Sequence, residues 1–89
     1  MDTLIGKKFI ILIEDEEVMV NLLVGKLEKA GYIVKTVLDG MNGLDLVRSE
    51  KPDLVLLDMM LPRLNGFGIL EKLSEEKILS VFFRAKLLQ

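Results

Sequence analysis

The 89-residue chain contains no cysteine and no histidine. The first absence excludes disulfide staples, thiolate-bound zinc and thiol catalysis. The second excludes Ser-His-Asp triads, imidazole bases and His-ligated metals. Neither sign of charge dominates: 12 Lys and Arg stand against 14 Asp and Glu, a net charge of −2. The resulting pI near 5.1 argues against nucleic acid as the main partner. No apolar run approaches the ~20 residues of a membrane span. The start, Met1-Asp2-Thr3-Leu4, lacks the basic stretch and apolar region of a signal peptide. The expectation is a cytoplasmic protein with no membrane partner. The length suits one domain, whose core can bury only about 60–65% of the surface its unfolded chain exposes.

What is present alternates. Phe9-Ile10-Ile11-Leu12-Ile13 is an unbroken apolar run that stops at Glu14-Asp15-Glu16-Glu17. This predicts a strand buried on both faces, ending in a polar loop. Val18, Met19, Leu22, Leu23, Leu27 and Ala30 then recur at three- and four-residue spacing, and Gly31 can supply a left-handed cap. Ile33 to Val37 reads as a second strand with one polar face, hence an edge. Asp39 can cap a helix that carries Met41, Leu44 and Val47 inward, with Arg48 in its last turn. After Pro52, Leu54 to Leu57 form a third, fully apolar strand that ends at Asp58. A loop from Met59 to Gly66 leads to a third helix with Phe67, Leu70 and Leu73 on one face. The sum, βαβαβα, implies an α/β fold with a parallel sheet and helices on both faces. From Lys77 to Gln89 periodicity fits a short strand at Ile78 to Phe83 or an amphipathic helix, and does not choose.

Two of these strands end in acids, and in open parallel sheets ligands bind beyond the carboxyl ends of the strands. If the first and third strands are neighbours, Glu14, Asp15 and Asp58 converge and repel one another. A divalent cation resolves that repulsion, and Mg²⁺ suits a hard, all-oxygen site. A cation beside a strand-end Asp also favours attack by that carboxylate on a phosphoryl group. The plainer reading is that acids after a strand serve the next helix dipole. That suffices for Glu16 and Glu17, and leaves both roles open for Glu14 and Asp15. Asp58 has no helix starting directly behind it.

Residues Phe9 to Leu73 resemble the receiver domain of bacterial two-component response regulators. The resemblance rests on Ile11-Leu12-Ile13-Glu14-Asp15-Glu16, Lys29-Ala30-Gly31-Tyr32, Asp39-Gly40 and, most specifically, Pro52-Asp53-Leu54-Val55-Leu56-Leu57-Asp58-Met59-Met60-Leu61-Pro62 followed by Asn65-Gly66. Asp15 and Asp58 stand 43 positions apart, as in the family. The resemblance implies a flavodoxin-like sheet, here truncated to about three βα units, with strand order 2-1-3. It implies that Asp58 accepts a phosphoryl group from the phosphohistidine of a sensor histidine kinase. By the same resemblance, Glu14, Asp15, Asp58 and the backbone carbonyl of Met60 hold Mg²⁺. Met59 suits gap filling, and Pro62 and Asn65-Gly66 shape the loop.

The chain also departs from the pattern. The family's strand-four Ser or Thr falls near Leu88, Ser80 is too early, and the strand-five Lys has no counterpart that Lys86 could replace. These losses are expected to impair phosphorylation and switching while metal binding survives. Residues 1–77 are thus expected to form a truncated receiver, and 78–89 a divergent segment serving as a degenerate strand or a dimerisation element. An exposed third strand would be an association hazard, which motivates an expected homodimer.

Two functions follow: a phosphoacceptor signalling domain without catalytic turnover of its own, or a non-phosphorylated half-receiver acting as an interaction module. An Asp-nucleophile phosphatase would need an acid where Met60 stands. A flavin site would need small and hydroxyl residues where Glu14 to Glu17 stand.

Overall fold

The β-rich, β-branched runs and the helical patterns take the places their periodicity predicts. The structure, a computed structural model, describes residues 6–58, 66–78 and 80–83. In chain order the elements are β1 (Phe9–Ile13), α1 (Glu17–Lys29), β2 (Ile33–Val37), α2 (Gly40–Glu50), β3 (Leu54–Asp58), α3 (Gly66–Glu75) and β4 (Ser80–Phe83). They build one parallel sheet in the order β2-β1-β3-β4. The predicted 2-1-3 order is present, with β2 at an edge. A fourth strand lies on the outer side of β3, with Val55 level with Ser80 and Asp58 level with Phe83. The third strand is therefore not an open edge.

Along β1 successive side chains point to opposite faces, and both sets are buried. Ile11 and Ile13 join Val55, Leu57, Leu44, Val47, Ile69 and Leu73 in one apolar cluster beneath α2 and α3. Ile10 and Leu12 are buried on the other face, and Met19 of α1 is buried as well. Gly43 lets α2 lie close on β1: a Cβ there would stand 2.7 Å from Ile13 Cδ1.

Helix ends follow local chemistry. Asp39 caps α2, its Oδ1 accepting from the Asn42 amide at 2.8 Å. At the end of α1, Gly31 takes φ 101°, while its amide donates to Glu28 and that of Tyr32 to Leu27. At the end of α3 the same pair of bonds runs from Lys77 to Ser74 and from Ile78 to Leu73, with Lys77 at φ 58°.

Three expectations about facing fail. Val18 and Leu22 are 75% and 48% exposed, and Met41 is 63% exposed, so none of them joins the core. Three- and four-residue spacing marks a stripe wider than the strip of helix that one sheet can cover. In α3 the fully buried residues are Ile69 and Leu73. The side chains of Phe67 and Leu70 lie outside what the structure describes.

Candidate functional site at the strand ends

β1 stops at Ile13 because Glu14 breaks the apolar run, yet the ladder continues one step further. The Glu14 amide donates to the Val37 carbonyl at 3.0 Å. Ile13 is level with Leu57 in the register of β1 with β3, so Glu14 and Asp58 come next, side by side. Both are removed from water, at 0% and 1% exposure, while Asp15 is exposed. One carboxylate oxygen from each of the three residues lies within 4.8 Å of the others.

Glu14 is held on one side only. Its Oε2 accepts from the Glu16 amide at 2.8 Å, whereas Oε1 is buried with no hydrogen-bond partner. Burial pushes the Glu14 carboxyl up to about 7, and the nearby negative charge of Asp58 pushes in the same direction. The Glu16 amide opposes this by stabilising the ionised form. An orphaned oxygen among three converging acids fits a hard divalent cation, since a cation supplies both the missing partner and the missing charge.

The three acids read from the sequence are therefore brought together, and Glu16 and Glu17 are separated from them in role. Glu16 occupies the N-cap of α1 without a side-chain capping bond, and Glu17 lies in its first turn. Met60, with Met59, Pro62 and Asn65, lies outside the described residues, as do Lys86 and Leu88. The fourth strand reaches the level of Asp58 at Phe83, not near Leu88. The sequence offers residues 78–83 as a short strand, one of two alternatives, but cannot set Phe83 level with Asp58, because counting along the chain cannot supply a register between strands. The parallel pairing of Val81-Phe82-Phe83 with Leu56-Leu57-Asp58 is the signal that finds it.

A family model described as the response regulator receiver domain matches residues 10–84. The alkaline phosphatase synthesis transcriptional regulatory protein PhoP of Bacillus subtilis is 43% identical over 72 residues, covering 81% of this chain and 30% of that protein. The DNA-binding dual master transcriptional regulator RpaA of Synechocystis is 37% identical over 68 residues, 76% of this chain and 28% of that one. The chain thus spans less than a third of the curated relatives it matches. Among solved structures, the N-terminal domain of a response regulator receiver protein from Methanoculleus marisnigri superposes with a TM-score of 0.81 at 30% identity, covering 92% of this chain and 70% of that one. A Francisella response regulator receiver domain, at 21% identity, has the same fold with a TM-score of 0.82 over 93% of this chain and 70% of that one.

Proposed function

The chain belongs to the response regulator receiver domain family of two-component systems, and from that premise we propose that Asp58 accepts a phosphoryl group with Mg²⁺ at Glu14, Asp15 and Asp58. Receivers are signalling domains, and they generally bind Mg²⁺. The observation that carries the reading is the burial of Glu14 beside Asp58 with one Glu14 oxygen unpartnered. Asp15, exposed beside the two buried acids, would hold the cation with them. Met60 would add its backbone carbonyl. The bound cation would neutralise charge shared by the nucleophile and the incoming phosphoryl oxygens.

The chemistry assigned to the chain's own residues is short. An Asp58 oxygen attacks phosphorus, forming an acyl phosphate as the bond to the donor's imidazole nitrogen breaks. Burial of Asp58 leaves its carboxylate little hydration to shed before attack. The donor is a sensor histidine kinase, and the setting is cytoplasmic. β4 ends at Phe83, level with Asp58, so no Ser or Thr stands there. Acceptance by this chain should therefore be slow, since one preorganised donor is worth roughly 2.7–4 kcal/mol in other enzymes.

Incubation with acetyl phosphate and Mg²⁺, followed by intact mass, tests the proposal. A gain of one phosphoryl group is expected, absent from Asp58→Ala and absent without Mg²⁺. No gain in a folded sample, or an equal gain in Asp58→Ala, refutes it.

A second reading is a non-phosphorylated interaction module that forms a homodimer. It now rests on β4 instead of β3. The strand reads Ser80-Val81-Phe82-Phe83, with no charge or proline to discourage edge pairing. Light scattering at tens of micromolar separates the two states, and a monomer there removes this reading.

A further inference from the structure

At the end of the sheet remote from the three acids lies a cavity of about 640 Å³, lined by Val47, Arg48, Lys51, Pro52, Asp53, Glu76, Lys77 and Ile78. Its size is that of a small-ligand site. Val47, Pro52 and Ile78 give it an apolar side, and three cations stand against two acids around the rest.

Both acids are already engaged. Asp53 Oδ2 accepts from the Phe9 amide at 2.7 Å. Glu76 takes the Arg48 guanidinium in a two-pronged pair, Nε at 2.9 Å and Nη2 at 2.6 Å from the same Oε2. Arg48 is thus already oriented as a carboxylate receptor, and a half-exposed internal carboxylate fills it. Lys51 and Lys77 make no ion pair among the described residues.

The lysines carry a second signal in their backbones. Lys51 has φ 53° and Lys77 φ 58°, the only non-glycine residues with positive φ among those described. These are helix-ending positions of the kind Gly31 fills after α1, where glycine costs least. Two side chains kept at strained positions, both beside one cavity, point to the cavity and not to the helices. The partial negative charge at the ends of α2 and α3 would by itself repel an anion, and these lysines offset it.

We propose that this cavity binds a small organic dicarboxylate, one carboxylate replacing Glu76 on Arg48, the other facing Lys51 and Lys77, and the carbon body lying on Val47, Pro52 and Ile78. The apolar side favours an organic anion over inorganic phosphate.

Phthalate is the probe, inorganic phosphate the comparison, and amide NMR with calorimetry the readout. Saturable phthalate binding in the millimolar range or tighter is expected, with shifts centred on Arg48, Lys51 and Ile78. Glu76→Gln should tighten it by freeing the guanidinium. The double variant Lys51→Gly with Lys77→Gly should melt no lower than the parent, because glycine relaxes both turns, yet bind roughly tenfold more weakly or worse. Binding unchanged in that variant, no saturable shifts in either parent or Glu76→Gln, or phosphate binding as tightly as phthalate would each overturn the assignment.

Discussion

Glu14 and Asp58 stand level at the ends of adjacent strands, both shut away from water. This relationship ties stability to pH. The Glu14 carboxyl is raised from 4.5 to about 7 in the folded chain. A folded state that holds its proton more tightly gains stability at low pH and loses it as pH rises through that range. The metal-free chain should therefore melt lower at pH 8 than at pH 6. Mg²⁺ binds the ionised acids, so its stabilising effect should grow over the same interval. Thermal melts at both pH values, with Mg²⁺ and with chelator, check this; a Mg²⁺ effect independent of pH would contradict it.

Glu14→Gln separates the cost of the buried charge from its use. An amide removes the repulsion with Asp58 and brings a donor to a region of acceptors. At pH 8 without Mg²⁺ the variant should be more stable than the parent by about 1–3 kcal/mol, the cost of one unsatisfied buried group. Mg²⁺ should then add little. Denaturant titrations of both proteins, with and without Mg²⁺, give the comparison.

Gly43 makes a packing prediction. A Cβ at this position meets Ile13 at 2.7 Å from Cδ1 and 2.9 Å from Cγ1, and Ile13 is fully buried in the cluster beneath α2. Alanine favours a helix interior by about 1 kcal/mol over glycine, but overpacking costs about 1–3 kcal/mol. Gly43→Ala should therefore destabilise. Ile13→Val removes Cδ1, so it should cost less in the Gly43→Ala background than in the parent. A double-mutant cycle in denaturant reads that coupling directly.

Much of this arrangement was legible from residues alone, for identifiable reasons. β1 and β3 are continuous apolar runs, and a strand buried on both faces leaves that mark wherever it lies in the sheet. Asp39 and Gly31 announce helix ends because capping is local chemistry. The convergence of Glu14, Asp15 and Asp58 was legible only on the condition that β1 and β3 are neighbours, which the register supplies. The conformation of residues 80–83 was not, because a four-residue strand is decided by its pairing with β3 and not by its own periodicity. Val18, Leu22 and Met41 misled for a related reason: spacing says which residues share a helix face, not how much of that face a neighbour covers. Lys51 and Lys77 gave no warning, since nothing in a lysine's sequence context announces a left-handed backbone.

That last point yields a test of backbone strain. The bonds from Lys77 to Ser74 and from Ile78 to Leu73 form the same helix end that Gly31 and Tyr32 make after α1. In one case the left-handed residue is glycine, in the other lysine. A Cβ at Lys77 carries a left-handed penalty of roughly 1 kcal/mol, which Lys77→Gly should recover in part against the greater freedom of glycine in the unfolded chain. Gly31→Ala should lose a similar amount, and since nothing lies within 4 Å of a Cβ placed there, the loss would come from the backbone alone. Opposite signs in the two denaturation midpoints are the expected result. Equal destabilisation by both changes would mean that the lysine side chain supports the turn by contacts, and that φ is not what decides the stability of this helix end.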